Sequence, residues 1–473
     1  MRLKLLATAA LCAATMINAS ARADAWHDKA RAMLEHAVNT PTVIGRGKVP
    51  ELAAYFADQF SQAGWPEADI HVMPYETPLG TGVDKTAGLI VRWRAEGHPK
   101  QKPIMLLGHM DVVEAKPEDW KTSDPFTFTE KDGYYYGRGT IDMKNGDVSI
   151  ITALLKLKAS GFKPKRDIVV FLTGDEETNG EGAHLGATKW HDLIDVEYGL
   201  NADAGDGGFR KDGSMIGFLL NSAEKTFANY EFTVRNRGGH SSKPRPDNAI
   251  YQLAGALKKL EAYRFAPMLN ETTRAYFAAR EKGEKGPLGD AMRAWLKNPN
   301  DGKAADFIEA DEGEVGLTRT RCVATLLKAG HAQNALPQLA TANINCRIMP
   351  EVDPNAILAE LKKIVDDPNV GVTRLDDYVA SLSSPLRPDV VKAYSDAVHA
   401  RWPNAPIIPE MSTGASDARD FRVAGIPVYG TNGAYVVIPD DLRAHGRDER
   451  LPVAALDDDV AHWEYMVKAL TTK

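Results

Sequence analysis

Cysteine is scarce in this chain, and its scarcity excludes one class of protein. The three cysteines are Cys12, Cys322 and Cys346, too few for a small domain held together by several disulfides. Cys346 alternates with Ile344 and Ile348 in a segment that resembles one face of a strand. Because an apolar strand face packs into a core, we expect Cys346 to be a buried free thiol rather than half of a disulfide with Cys322.

The chain also lacks long hydrophobic runs and any excess of positive charge. No segment approaches the roughly 20 uninterrupted apolar residues of a membrane-spanning helix. Lysine and arginine number 57 against 64 acidic residues, which gives a formal net charge of −7, and no basic run is present. We therefore expect a soluble protein that binds neither nucleic acid nor membranes.

Residues 1–23 have the three-part pattern of a secretory signal. Arg2 and Lys4 come first, an apolar stretch follows at 5–17, and small residues lead up to Ala23. This order predicts export through a cleaved signal peptide, with release into a periplasm or full secretion both open. The segment is excluded from the predicted fold.

Short apolar runs alternate with helix-like stretches between residues 24 and 221. Continuous apolar runs separated by helices are typical of parallel strands that are buried on both faces. The predicted fold class is α/β, with a mostly parallel sheet in a catalytic domain formed by 24–221 and 384–473. The runs lie at 103–107, 167–172 and 198–200.

The pattern changes near residue 222, where apolar and polar residues begin to alternate, as in strands with one solvent-exposed face. Two helical patterns and further strand-like segments follow in the order strand, helix, strand, strand, helix, strand, which is the split βαβ or ferredoxin-like arrangement. We therefore predict an inserted domain at 222–383. Within it, the charged stretch 264–320 is interpreted as surface helices and loops.

Side chains of the metal-ligand type lie at the ends of the apolar runs or in glycine-rich loops. Ligands collect at the carboxyl ends of strands in a doubly wound sheet. Two imidazoles and three carboxylates are a mixture that Zn²⁺ accepts when two ions share a bridging oxygen, so the sequence predicts a dinuclear metallohydrolase. These residues are His109, Asp142, Glu177, Asp203 and His445, with Asp111 and Glu176 beside them.

The spacing within two of these motifs indicates which side chains can bind metal and which can orient a ligand or face the substrate. His109 and Asp111 are two apart in extended chain and share a face, so Asp111 can accept the proton on the far imidazole nitrogen and orient the ring. Glu176 and Glu177 are adjacent and diverge, so one can bind metal while the other faces water or substrate.

An ordered series of motifs resembles one family over nearly the whole chain after residue 23. The motifs are GHMDVV, YGRGTIDMKNG, GDEETNGEGA, NADAG, GGHSSKP, AQNALP and GASDAR, followed by the late His445. They resemble the zinc metallopeptidase family that contains carboxypeptidase G-type and S-type enzymes, carnosinase-like dipeptidases, aminoacylases, and the acetylornithine deacetylase/succinyl-diaminopimelate desuccinylase group.

The resemblance implies two Zn²⁺ ions in each subunit, bridged by Asp142. His109 and Asp203 would complete the coordination of one ion, while Glu177 and His445 would complete that of the other.

The resemblance also implies roles for residues outside the ligand set. Glu176 would be the general base, and His240 on the inserted domain would reach the substrate carbonyl oxygen, usually that of the partner subunit in a homodimer. Asn334, Arg347 and Arg419 match positions that hold the far end of the substrate. The inserted domain would then act in closure and dimerisation.

The expected reaction is hydrolysis of an amide bond by a metal-bridging water. An aspartate at position 203 favours carboxypeptidase-like or dipeptidase-like action on peptides that carry a free carboxylate. The alternative is an N-acyl-amino-acid deacylase of the aminoacylase type, since pocket lining decides between the two. A non-catalytic zinc-binding descendant is a third reading, against which the intact Glu176 argues.

Overall fold

The computed structural model describes residues 25–97, 99–377 and 379–472. This part of the chain forms two compact units. The first contains the described residues up to Leu220, Arg387–Ile407, and the residues from Val428 onward, and the second contains Asn221–Leu386 and Ile408–Pro427. The predicted signal segment lies outside the described residues, so export stays a prediction.

The helices and strands alternate along most of the chain. The helices are α1 (25–39), α2 (Val49–Gln62), α3 (Lys144–Ala159), α4 (Glu181–Ala187), α5 (His191–Ile194), α6 (Ala249–Ala262), α7 (Glu271–Gly283), α8 (Pro287–Lys297), α9 (Gly302–Glu309), α10 (Pro354–Val365), α11 (Pro388–His399), α12 (Ala418–Val423) and α13 (Val453–Thr471). The strands of the first half are β1 (Ile70–Leu79), β2 (Gly82–Trp93), β3 (Ile104–His109), β4 (Thr129–Lys131), β5 (Tyr134–Tyr136), β6 (Ile168–Thr173), β7 (Tyr198–Asn201), β8 (Gly207–Arg210) and β9 (Met215–Glu224). Those that follow are β10 (Thr226–Arg235), β11 (Gly239–His240), β12 (Arg321–Ala329), β13 (Ala335–Leu336), β14 (Leu339–Ile348), β15 (Val370–Arg374), β16 (Ile407–Ser412), β17 (Val428–Gly430), β18 (Tyr435–Ile438) and β19 (Arg450–Pro452).

A large twisted sheet organises the first unit, with neighbouring strands in the order β1, β2, β6, β3, β7, β17, β9, β8, β18. Its centre is parallel, since β3 pairs in parallel with both β6 and β7, and β17 pairs in parallel with β7. Every residue of β3, β6 and β7 is buried, as expected for strands covered on both faces. The predicted α/β class with a mostly parallel sheet is confirmed.

The second unit has an antiparallel sheet in the order β12, β14, β10, β15. Along the chain the order is β10, α6, β12, β14, α10, β15, which is the predicted split βαβ arrangement. Helices α6 and α10 cover one face, and their apolar residues, such as Leu253 and Leu361, join Tyr230 and Ile344 in one buried core. The boundaries 222–383 stay a prediction, and the second compact unit also takes in 408–427.

The interpretation of 264–320 as surface helices and loops was incomplete. Helices α7, α8 and α9 lie in this stretch and build a second small core around Phe277, Met292, Trp295 and Ile308, which are all fully buried. In α8 the apolar residues recur at helical spacing, but the surrounding charged residues mask this pattern in the sequence.

The expectation of a free thiol at Cys346 was wrong. Cys346 is buried as predicted, but it forms a disulfide with Cys322. The physical reason is register, because β12 pairs with β14 so that these two residues lie directly opposite each other. Their Cα atoms are 4.0 Å apart, a separation that the pairing of the two strands creates between residues 24 positions apart in sequence.

Among the described residues, no helix combines the length and the apolarity that crossing a membrane requires.

Candidate metal centre

The carboxyl ends of three neighbouring strands bring the predicted ligands together in the first unit. Strand β3 ends at His109, β6 is followed by Glu176 and Glu177, and β7 is followed by Asp203. Parallel pairing places these three ends at one edge of the sheet. Asp142 lies two residues before the start of α3, and the peptide bond between Asp142 and Met143 is cis.

The buried imidazole of His109 faces two carboxylates. Its Nε2 atom lies 3.4 Å from Asp142 Oδ1 and 3.5 Å from Asp203 Oδ1, and it has no hydrogen-bond partner within the described chain. Ligands about 2.0–2.2 Å from a tetrahedral zinc ion stand roughly 3.3–3.6 Å apart. The three atoms therefore have the separation of metal ligands, and an orphaned buried nitrogen is accounted for by a cation.

The second imidazole shares Asp142 with the first. His445 Nε2 lies 3.1 Å from Asp142 Oδ2 and 2.9 Å from Glu177 Oε2. The two oxygens of Asp142 thus face two different histidines, as a carboxylate that bridges two ions must do. His445 itself has a left-handed backbone with φ 59°, an uncommon conformation that points to a constrained position.

Asp111 orients the site differently from the prediction. Nδ1 of His109 lies 3.1 Å from the backbone carbonyl of Asp111, while the nearer carboxylate oxygen of Asp111 is 3.6 Å away. That carboxylate instead accepts the backbone N–H groups of Glu176 and Glu177, at 3.1 and 3.0 Å. Asp111 therefore fixes both the ring of His109 and the loop that carries the two glutamates.

The electrostatics of the cluster favour added positive charge. Contacts with Asp142 and Glu177 raise the pKa of His445 to about 10. Burial opposes ionisation of His109, but the carboxylates around it outweigh burial and hold its pKa well above the ordinary value. Burial raises the pKa of Asp203. A cluster that attracts protons this strongly also suits a divalent cation, which competes with those protons for the same lone pairs.

Glu176 belongs to the same cluster. One of its carboxylate oxygens lies within 4.8 Å of the ligand-type atoms of His109 and Glu177. It is half-buried and so can meet both the centre and solvent. This placement is compatible with a proton carrier, as the sequence predicts for it.

Glu449 is a positioning residue that the sequence analysis missed. Its fully buried carboxylate accepts the backbone N–H groups of Gly139, Ile141 and Asp142, at 3.0, 2.9 and 3.2 Å, and pairs with Arg138 at 2.6 Å. It thereby holds the loop that presents Asp142. Its position four residues after the predicted ligand His445 was the only available signal.

The remaining predicted residues lie in the second unit, and the structure brings two of them together. His240 in β11 pairs with Ala335 in β13, and the N–H of Ser241 donates to the carbonyl of Asn334 at 2.9 Å. The N–H of Ser242 donates to His240 Nδ1 at 3.1 Å. Because Nδ1 accepts this bond, the proton of a neutral His240 lies on Nε2.

The two predicted arginines have different surroundings. Arg347 lies in β14 over the ring of Phe227, with 4.8 Å between its guanidinium carbon and the ring centre, and burial lowers its pKa. Arg419 lies in α12 and pairs with its neighbour Asp420 at 2.9 Å. Both guanidinium groups are partly buried in the second unit, where each could bind an anion.

Comparison with known proteins identifies the family. Residues 105–469 match Peptidase family M20/M25/M40. The chain belongs to this family. It is therefore a hydrolase that acts on amide bonds, in a metal-dependent family, and the described residues supply candidate ligand groups.

Several relatives are similar over most of their length. The chain is 30% identical to the N-fatty-acyl-amino acid synthase/hydrolase PM20D1 of Xenopus tropicalis, over 75% of this chain and 70% of that protein. It is 27% identical to a probable carboxypeptidase S-like 2 of Dictyostelium discoideum, over 80% and 74%. An M20 family metallo-carboxypeptidase of Sulfolobus solfataricus shares the fold, with a TM-score of 0.67 and 18% identity over 93% of this chain and 98% of that one.

Proposed function

We propose that this protein is a zinc-dependent peptidase that hydrolyses an amide bond in peptides or dipeptides with a free carboxylate. The observation that carries the proposal is the shared carboxylate of Asp142. Its two oxygens face His109 and His445, so that two ligand groups, one with Asp203 and one with Glu177, meet at a single residue.

The chemistry of the donor set fits zinc better than a harder cation. Imidazole nitrogens suit Zn²⁺, whereas Mg²⁺ and Ca²⁺ prefer sites made of oxygen alone. Two Zn²⁺ ions, when bound, would polarise the scissile carbonyl and lower the pKa of water toward about 7.

The residues of the chain perform the remaining steps. Glu176 takes a proton from the attacking water and returns it to the leaving nitrogen, so that a C–O bond forms and the C–N bond breaks. His240 donates a hydrogen bond from its Nε2–H to the carbonyl oxygen as negative charge develops there. Arg347 or Arg419 pairs with the free carboxylate, and Asn334 binds the same end of the substrate.

A second substrate class is favoured by a specific observation. The relative that is 30% identical is named for the synthesis and hydrolysis of N-fatty-acyl amino acids. The same centre would then cleave an acyl chain from an amino acid. The carboxylate of that amino acid would pair with Arg347 or Arg419.

One incubation distinguishes the two classes. The purified protein is loaded with zinc and given dipeptides, short peptides and N-acyl amino acids, and products are followed by mass spectrometry with and without a chelator. Chelator-sensitive loss of peptides supports the peptidase, and selective loss of acyl conjugates supports the deacylase. No product from zinc-loaded protein would contradict both.

Glu176→Gln tests the general base. We expect the variant to retain zinc, because it leaves the five ligands in place, while turnover falls by several orders of magnitude because no carboxylate receives the proton of water. Zinc content is measured by elemental analysis and turnover with the preferred substrate. Near-normal turnover would show that another group is the base. Glu181→Gln, in α4, is the control.

We also propose that the protein is exported after cleavage of 1–23. The Cys322–Cys346 disulfide supports this proposal, because disulfides persist in oxidising compartments. The test is N-terminal sequencing of protein from a periplasmic or culture fraction, and an intact residue 1 in that fraction would contradict cleavage.

A further inference from the structure

The loop at 174–182 (the glutamate loop) carries the proposed general base Glu176 and the predicted metal ligand beside it. Asp175 lies near the start of this loop and is 2% exposed. Its Oδ2 accepts the backbone N–H of Glu181 at 2.9 Å, and its Oδ1 accepts that of Gly182 at 2.9 Å. One side chain outside the ligand set therefore ties the two ends of the loop together.

A tyrosine of the edge strand β1 contacts the same carboxylate. The hydroxyl of Tyr75 donates to Asp175 Oδ1 at 2.6 Å and accepts the backbone N–H of Gly174 at 3.2 Å. The ring of Tyr75 meets that of Trp190 edge-on, with 5.7 Å between the ring centres, so the hydroxyl lies at the end of a packed side chain. It fixes a backbone group and a carboxylate directly before Glu176.

Strand β2 holds the loop at the same point. Thr86 in β2 pairs directly with Tyr75, and its hydroxyl donates to the carbonyl of Gly174 at 2.7 Å. A Cβ atom on Gly174 would lie 2.5 Å from a backbone oxygen of β2, so the loop lies against this strand with no room for a side chain. Farther along the loop, Asn179 donates to Thr77 Oγ1 in β1 at 2.9 Å. Three hydroxyl groups of one hairpin thus contact the glutamate loop.

Glu176 depends on these contacts more than Glu177 does. Glu177 Oε2 lies 2.9 Å from His445 Nε2, and a bound ion would hold the same carboxylate further. A general base has to stay unbound to metal in order to receive a proton, so its position comes from the backbone that carries it. A misplacement of about 1 Å in a reacting group can cost about 100-fold in rate.

We propose that Tyr75 and Asp175 are positioning residues of the reaction, whose hydroxyl–carboxylate contact holds the glutamate loop so that Glu176 stays aligned with the metal centre. This inference rests on the proposed function. Neither residue belongs to the candidate ligand groups, and both act through the backbone of the loop.

Tyr75→Phe removes the hydroxyl and keeps the ring. At saturating zinc, we expect kcat for the preferred substrate to fall by about 10- to 100-fold, while KM stays within a few-fold of the parent because no group that binds substrate is lost. Zinc content should equal that of the parent, since the five ligands remain. Tyr55→Phe in α2 is the matched control and should leave kcat unchanged. Tyr55 is also half-buried, and its ring stacks on that of His36 at 3.7 Å.

A double variant distinguishes positioning of the base from a general structural defect. If the hydroxyl acts through Glu176, Tyr75→Phe should change the residual turnover of Glu176→Gln by less than about twofold, because the effects of coupled residues do not add. A general defect would lower turnover in both backgrounds alike. An equal loss of turnover in the parent and in Glu176→Gln would therefore overturn the assignment.

Amide hydrogen exchange followed by mass spectrometry measures the loop contact without any substrate. In Tyr75→Phe the amides of 174–182 should exchange about five- to tenfold faster, the factor that one lost hydrogen bond corresponds to, while those of β3 should exchange as in the parent. Faster exchange with unchanged kcat would show that the contact does not position Glu176. Unchanged exchange would reject the contact itself, even if the parent turns over no substrate and the proposed function fails.

Discussion

The proton of His240 illustrates how a single backbone group can set the chemistry of a side chain. The N–H of Ser242 can only donate, so its bond to Nδ1 at 3.1 Å leaves Nε2 as the protonated nitrogen. The Ser242 hydroxyl, 2.7 Å from the same Nδ1, then donates to it as well. A fixed Nε2–H is the donor that a developing oxyanion requires.

His240→Ala should therefore reduce kcat by about 10²- to 10³-fold, the usual loss when one oxyanion donor is removed. Zinc content should not change, because His240 belongs to none of the ligand groups. Ser242→Ala is the matched control: it removes the hydroxyl but keeps the backbone N–H, and its kcat should stay within a few-fold of the parent. Steady-state kinetics with elemental analysis measures both, and full activity in His240→Ala would contradict the assignment.

Asp459 is a buried carboxylate whose ionisation should make stability depend on pH. It lies in α13, fully buried, with Oδ1 accepting from the N–H of Gly433 at 2.8 Å and Oδ2 lacking a partner among the described residues. Burial raises its pKa to about 7, above the roughly 3.9 of an unfolded chain. Its protonated form is favoured in the fold, so the contribution of Asp459 to stability is greatest below about pH 4 and is lost as pH rises through about 7.

Asp459→Asn should remove this dependence. At pH 8 the free energy of unfolding should exceed that of the parent by about 2–4 kcal/mol, while near pH 4 the two should agree. Urea unfolding at both pH values, with chelator present throughout, measures the difference. Asp457→Asn replaces an exposed aspartate of the same helix and should show no such gain. If the parent and Asp459→Asn have equal free energies of unfolding at pH 8, ionisation of Asp459 does not destabilise the fold, and the prediction is wrong.

At the scale of elements, the disulfide across β12 and β14 should stabilise the second unit. It closes a segment with a sequence separation of 24, and restricting a loop of this length in the unfolded chain is worth about 3 kcal/mol. The double variant Cys322→Ala, Cys346→Ala should lose about that much in urea unfolding. Reductant should destabilise the parent and leave the double variant unaffected. Two titratable thiols in the unreduced parent would contradict the bond.

The elements also show what the sequence could predict and what it could not. Strands β3, β6 and β7 are continuous apolar runs, so both their existence and the clustering of His109, Glu177 and Asp203 at their ends follow from pattern alone. The disulfide depends on the register between β12 and β14, and no local sequence pattern reveals that register. Glu449 acts through backbone N–H groups more than 300 residues away, a contact that only the folded chain creates.

At the scale of the whole molecule, the exposed edge strand β12 predicts how copies of the protein assemble. Strand β12 is an edge of the second unit's sheet, and most of its residues are exposed. Leu326 and Leu327 are 63% and 64% exposed, and Val323 is 56% exposed. An edge strand presents unpaired N–H and C=O groups, and an apolar one favours pairing with another chain. We therefore expect a homodimer in which β12 of one copy meets β12 of the other.

Charged residues on this edge should separate the copies, because lysine on an edge strand opposes pairing. The double variant Leu326→Lys, Leu327→Lys should sediment as a monomer at concentrations at which the parent sediments as a dimer. Val83→Lys in β2, where the parent side chain is 55% exposed, is the control and should leave the parent's oligomeric state unchanged.

If the partner's His240 completes the reaction site, the monomeric variant should also lose kcat to about the level of His240→Ala. A parent that stays monomeric across the concentration range would contradict the dimer, and a monomeric variant with full kcat would show that each copy supplies its own donor.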